Sequence, residues 1–470
     1  MSTLAEKTWF GQPRGLTILF LTNMWELFSY YGMRTLLVYY MTKQLLFAQE
    51  KASFVYGAYT AMAYFTPILG GAIADRWLGK RNAVIIGGSV MALGHFLMAF
   101  EPLFFVALGT IALGNGLFLP SLPSQINDLY RADDPRRGRA YNVYYVGLNI
   151  GGFMAPLVCG TLGELYGWHY GFGAAGIGMF AGLVIYVLGR NYLPPEIRAS
   201  RSAVPIAGTR VDDQKTLWLL LLGVGLAVTV FRGAYEQIGN TLPLWIDAGV
   251  DTSWGNAVIP MTWFQSLNPL LVISMTPLLL LHWRRRADAG NETSPARKMA
   301  IGAVIVALAY LLLATLQGWA GGDRLAWPWL LLFFGILTLG ELYILPTGLG
   351  LFARLAPPRL GATTVATWFL AVFSGSLLAG AVGMLWSYIS HSAFFLVLSG
   401  LAAMAGAVLW MLDRPVRGVE AGRFASPVSA LTTAGKAETT SAQTNGEAAA
   451  GVPVSERGEG QQAGRVDHPC

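Results

Sequence analysis

Apolar stretches of about twenty residues recur along the whole chain, parted by short polar loops. A lipid interior offers no partner to a free backbone N–H or C=O, so only helices and closed barrels cross it. Stretches of this length are helices, because a membrane strand needs about half as many residues. Twelve spans are expected, near residues 16–42, 52–75, 82–101, 103–130, 140–163, 169–190, 216–245, 256–283, 299–318, 327–354, 361–388 and 391–412. The composition agrees: 54% of the 470 residues are hydrophobic and only 12% are charged. A soluble domain carries roughly 25% charged residues. An ordinary soluble enzyme, a disordered chain and a nucleic-acid-binding module are thereby excluded.

The basic residues orient the chain. With the N-terminus in the cytoplasm, the inner loops carry nineteen Lys and Arg, among them Arg76, Arg136, Arg139, Arg284, Arg285 and Arg286. The outer loops carry three, Lys43, Lys51 and Arg324. Cytoplasmic loops hold this excess in membrane proteins, so both termini are expected inside and the span count even. The same clustering accounts for the net charge of +6 without any nucleic acid. The expected class is an all-α polytopic membrane protein, multi-pass in the lipid bilayer of a bacterial inner membrane. Residues 1–190 form an N-terminal six-helix bundle, 191–215 a cytoplasmic linker and 216–412 a C-terminal six-helix bundle. Residues 413–470, rich in Gly, Ala, Ser, Thr and Glu, read as a disordered cytoplasmic tail. No cleavable signal is visible in the first fifteen residues.

Cys159 and Cys470 provide neither a disulfide framework nor metal-site spacing. The five histidines, at positions 95, 169, 282, 391 and 468, are dispersed and lack the spacing of a membrane-embedded hydrolase. No enzyme, metal or cofactor is expected.

Two short segments recur between the halves. Thr66-Pro67-Ile68-Leu69 is echoed by Thr276-Pro277-Leu278-Leu279, and Gly114-Asn115-Gly116-Leu117-Phe118-Leu119-Pro120 by Gly340-Glu341-Leu342-Tyr343-Ile344-Leu345-Pro346. They fall on the second and fourth spans of each half. Parallel repeats of this kind build the major facilitator fold, whose substrate binds at the midplane between the halves.

Charged residues inside spans are costly and mark function by default. Five stand out: Glu26, Arg34, Arg232, Glu236 and Glu341. Asn23, Glu26, Tyr30 and Arg34 are spaced to share one helical stripe, which must face protein or a cavity. Arg232 and Glu236, at i and i+4, can simply pair with each other. Glu341 has no charged neighbour on its own helix. Opposite poles on the two halves suit a zwitterion, a carboxylate meeting the planar fork of Arg34 and an ammonium meeting Glu341. Glu26, Glu236 and Glu341 are candidate proton carriers. Tyr30, Tyr31, Tyr64 and Trp368 are candidate covers for apolar groups, although packing alone explains any one of them.

These residues resemble the proton-dependent oligopeptide transporter family. Trp25-Glu26-Leu27-Phe28-Ser29-Tyr30-Tyr31-Gly32-Met33-Arg34 is similar to its first-helix motif, and Gly70-Gly71-Ala72-Ile73-Ala74-Asp75-Arg76-Trp77-Leu78-Gly79 to its loop after the second span. Tyr144-Tyr145-Val146-Gly147-Leu148-Asn149-Ile150-Gly151 matches its fifth-helix motif. Glu236-Gln237, Gln265-Ser266-Leu267-Asn268-Pro269, Gly340-Glu341-Leu342 and Trp368-Phe369-Leu370 follow in order. The resemblance implies a symporter that takes up di- and tripeptides with protons, driven by the proton gradient and needing no cofactor, as a monomer. By that resemblance Arg34 holds the peptide carboxylate and Glu341 the amino terminus. Tyr31, Tyr64, Asn149 and Asn268 line the pocket, Trp368 bounds a side-chain pocket, and Glu236 couples protonation to the outer gate.

The chain departs from the family pattern at four places. Asn23 and Leu27 replace an acid and a base of the first-helix motif, and Leu119 replaces a lysine. Together they neutralise one charge network, leaving Glu26 without its usual partners. Arg232 stands where the family has tryptophan, adding a positive pole that suits an acidic solute. Leu345 replaces a serine. Alternatives are a facilitator for a drug or an anion, a peptide uniporter without proton coupling, and a receptor that binds peptide with no flux.

Overall fold

The computed structural model describes residues 8–9, 11–130, 134, 136–194, 211–355 and 361–424. Thirteen α-helices run through them: α1 (Arg14–Lys43), α2 (Gln49–Ile73), α3 (Lys80–Leu97), α4 (Phe104–Asp128), α5 (Arg136–Ala155), α6 (Trp168–Gly189), α7 (Val211–Tyr235), α8 (Thr241–Gly249), α9 (Leu267–Asp288), α10 (Pro295–Ala320), α11 (Pro328–Leu355), α12 (Gly361–Gly383) and α13 (His391–Phe424). Strands among the described residues are two-residue pairings, such as Val250–Asp251 beside Leu325–Ala326. The chain divides into two compact units, Met1–Val416 and Arg417–Cys470, and everything that follows concerns the first.

By length and composition, nine helical segments among the described residues can cross a membrane. They correspond to α4–α7 and α9–α13. The remaining long helices, α1, α2 and α3, are diluted by Gly, Ser, Thr and Tyr, and α1 by Glu26 and Arg34 as well. Such dilution belongs to helices that face protein. Thr22, Asn23, Glu26 and Ser29 are buried on α1. Lipid-type exposure is clear on α7, where Leu219, Leu222 and Leu226 stand open along one stripe.

Close helix packing repeats between the halves. α3 meets α4 at Gly87 and Gly114, and a Cβ on Gly114 would lie 2.6 Å from the Gly87 carbonyl oxygen. α10 meets α11 at Gly302 and Gly340, with a Cβ on Gly340 lying 2.7 Å from the Gly302 oxygen. Only glycine allows backbones so near, and small residues are what hold membrane helices together without a hydrophobic drive between them. The echoed threonines also behave alike. Thr66 Oγ1 donates to the Met62 carbonyl at 2.9 Å, and Thr276 Oγ1 to the Val272 carbonyl at 2.6 Å, each ahead of an in-helix proline.

Some boundaries differ from the sequence reading. The expected seventh span is broken: α7 ends at Tyr235, a tight turn covers Glu236–Ile238, and α8 follows. Its charged and amide residues thus sit on a helix end rather than mid-helix. α13 runs past residue 412 to Phe424, and the Ser294 hydroxyl bonds the Asp413 carboxylate beside it. Helix α7 begins at Val211, inside the expected linker. Residues 195–210 of that linker and 425–470 of the expected tail lie outside the described residues.

Candidate functional site

The polar stripe of α1 faces inward, and its last member, Arg34, reaches the turn after α7. Arg34 forms an ion pair with Glu236 Oε2. Its Nε and Nη2 donate to the Tyr56 hydroxyl at 2.9 and 2.5 Å, and that hydroxyl donates to Glu236 Oε2 at 3.3 Å. Arg232 takes the other oxygen, Oε1, from one helical turn back. One carboxylate therefore bridges a guanidinium from each half. Gly239 makes this possible, since a Cβ there would collide with the Tyr56 hydroxyl. Aromatic faces flank both cations: the Arg34 guanidinium lies 5.9 Å from the Tyr31 ring centre, and that of Arg232 lies 5.3 Å from Tyr64.

The opposite pole is built by α9 and α11. Asn268 Nδ2 donates to Glu341 Oε2 at 2.6 Å and to Thr338 Oγ1 at 3.1 Å. The Tyr235 hydroxyl also bonds Glu341. A cavity of about 120 Å³ lies between the poles, lined by Tyr31, Arg34 and Tyr64 from one half and by Arg232, Tyr235, Glu236, Asn268 and Glu341 from the other. It holds about four waters' share of volume.

Seven residues singled out in the sequence thus converge on this cavity: Arg34, Tyr31, Tyr64, Asn268, Glu341, Glu236 and Arg232. Four stand elsewhere in this conformation. Tyr30 packs edge-on against Tyr31, with ring centres 5.4 Å apart. Asn149 is buried and donates to the carbonyl of Tyr145 on its own helix at 2.9 Å. Trp368 packs on Phe352 at 5.4 Å and over Gly348. Glu26 is 2% exposed, and its Oε2 has no hydrogen-bond partner among the described residues.

Sequence reasoning missed Tyr56, Tyr235 and Thr338, which tie the charged groups together. It also missed a set of bonds that joins the halves beyond the cavity. Ser53 Oγ donates to Asn240 Oδ1 at 2.9 Å, and Gln49 Nε2 to the Gly383 carbonyl at 3.0 Å. Tyr39 Oη donates to Asp247 Oδ1 at 2.7 Å, and Lys43 pairs with Oδ2 at 2.8 Å. Glu164 accepts from the backbone N–H groups of Met261 and Thr262 at 3.1 and 2.8 Å. At the same end α2 crosses α12, with a Cβ on Gly57 lying 2.5 Å from Gly380 Cα. The expected loops at this end are the outer ones.

Comparison with known proteins bears on this arrangement. A family profile described as the POT family matches residues 81–205 and 196–399. A di-/tripeptide transporter of Lactococcus lactis subsp. lactis (strain IL1403) is 30% identical, over 87% of this chain and 97% of its own. A peptide transporter of Yersinia enterocolitica subsp. palearctica serotype O:3 (strain YE-P4) is 30% identical, over 81% of this chain and 89% of its own. A crystal structure of the peptide transporter POT, in a Glu-to-Gln variant bound to sulfate, matches with a TM-score of 0.81 at 27% identity. That match covers 88% of this chain and 97% of the other.

Proposed function

Since the chain belongs to the POT family, we propose that it is a proton-coupled symporter importing di- and tripeptides by alternating access. It would do so as a monomer with twelve spans and both termini cytoplasmic, in a bacterial inner membrane. The observation that carries this reading is the placement of Arg34 and Glu341 on one cavity, one from each half, with Glu236 between the halves. The peptide carboxylate takes Arg34 through its planar fork of donors. The amino terminus takes Glu341, displacing or sharing the Asn268 amide.

Glu236 links binding to opening. In this conformation it holds Arg34, and the surrounding bonds close the end we assign to the outside. A proton on Glu236 removes the charge that Arg34 answers, so the gate loosens as Arg34 becomes available to a carboxylate. The cavity of about 120 Å³ is smaller than the roughly 300 Å³ of ordinary small-molecule pockets. Admitting a dipeptide therefore requires the halves to part.

One proton carried with a neutral peptide moves one charge inward. At 100 mV this supplies about 2.3 kcal/mol, or roughly 50-fold accumulation by the tenfold-per-1.4 rule. The test is uptake of labelled dialanine into proteoliposomes with an inward proton gradient and negative interior, against no gradient. Accumulation abolished by a protonophore is the expected result, whereas equilibration without accumulation makes the protein a uniporter. That second reading draws on the neutral Asn23, Leu27 and Leu119 and on the unpartnered oxygen of Glu26. No dialanine flux in either condition would overturn peptide transport.

A further inference from the structure

Arg232 is the member of the site that the transport cycle above does not use. It is 4% exposed, it lines the cavity, and its Nε has no hydrogen-bond partner among the described residues. Its stem is accommodated by Gly375 on α12, where a Cβ would collide with that of Arg232. Its guanidinium lies 5.7 Å from the ring centre of Tyr235, the tyrosine that bonds Glu341. A cation so placed, with donors left over and room made for it, is set to meet an anion inside the cavity.

Resting on the peptide-transport reading, we infer that Arg232 selects substrates bearing a second anionic group, above all di- and tripeptides with an acidic side chain. The argument is one of charge. The charged residues lining the cavity among those described are Arg34, Arg232, Glu236 and Glu341, two of each sign. Glu236 is faced by Arg34, Arg232 and the Tyr56 hydroxyl. A proton on Glu236 leaves two guanidiniums against one carboxylate. A neutral zwitterion satisfies Arg34 and Glu341 but leaves Arg232 without an anion. An acidic dipeptide satisfies all three, and an unmatched buried charge is what a site of low dielectric penalises most.

The inference is tested by competition against labelled dialanine and by charge movement in proteoliposomes. Unlabelled Ala-Glu is expected to compete at least tenfold better than unlabelled Ala-Ala. Dialanine uptake carries an inward current, whereas Ala-Glu taken up with one proton carries none. Arg232→Gln is expected to bring the Ala-Glu to Ala-Ala ratio down about tenfold, and Arg232→Lys to keep most of the preference. Each variant is read only as this ratio, after its thermal unfolding has been matched to wild type. If both variants fail to fold, the wild-type ratio and the two currents decide. Equal competition by the two peptides in wild type, with dialanine still transported, would overturn the inference and make Arg232 a fixed counter-ion of Glu236. Absence of dialanine uptake would bring down the transport reading itself and this inference with it.

Discussion

Asn115 and Glu341 hold matching positions in the two halves, each following a glycine pressed against the backbone of the helix before it. Their tasks differ. Asn115 is buried and donates to the Ala63 carbonyl at 2.8 Å, fastening α4 to α2. Glu341 turns into the cavity, where Asn268 and Tyr235 hold it. One scaffold position thus serves as a strut on one side and as a charged pole on the other.

Glu341→Gln should remove recognition of the free amine. Dialanine and its N-acetylated form should then compete about equally for uptake, whereas wild type favours the free amine. Preserved discrimination in the variant would take the amino-terminal role away from Glu341.

Glu236→Gln leaves two guanidiniums without their shared carboxylate. Removing one member of a buried ion pair costs about 3–5 kcal/mol, so the purified variant should unfold at a clearly lower temperature. Gradient-driven accumulation of dialanine should be lost, while exchange of peptide between the two sides continues. Full accumulation in the variant would exclude Glu236 as the coupling acid.

Asp247→Asn makes the opposite case. The Lys43–Asp247 pair also joins the halves, but its side chains are 52% and 27% exposed. Exposed pairs contribute about 0–1 kcal/mol and weaken with salt. Unfolding of the variant should differ little from wild type, and any difference should vanish in high salt.

Gly114→Ala and Gly340→Ala each push a methyl into a backbone carbonyl. Overpacking of this kind costs about 1–3 kcal/mol, and the two losses should be similar. Gly109→Ala, on the same helix as Gly114 with nothing within 4 Å of its added Cβ, should not destabilise. Thermal unfolding of the three variants in one detergent checks the set.

Much of this was legible in the sequence because lipid imposes a simple rule. Apolar runs marked the helices, and the few charges inside them pointed to the cavity. Arg34, Arg232, Glu236 and Glu341 were found because a buried charge is rare and must be explained. Tyr56 and Tyr235 were not, since 19 tyrosines are scattered along the chain and only the fold chooses which hydroxyls meet a carboxylate. The break between α7 and α8 escaped notice because the apolar pattern continues across it. Hydropathy also stopped α13 at residue 412, for it reports where lipid would end rather than where a helix does. Asp413, bonded to Ser294, keeps that helix going.

The crossing of α2 and α12 has a mechanical meaning. At Gly57 and Gly380 two backbones touch with no side chain between them, so neither helix can advance on the other there, yet each can tilt. Gln49 and Phe65 lie eight residues to either side of Gly57, about 12 Å along the helix at 1.5 Å per residue. Gln49 grips the Gly383 carbonyl at one end, and Phe65 meets Phe373 at 5.4 Å at the other. The pair is a balanced seesaw with its fulcrum at the glycines. Every ångström by which the Gln49 end spreads is returned as roughly an ångström of approach at the Phe65 end, with no flexible joint required in either helix.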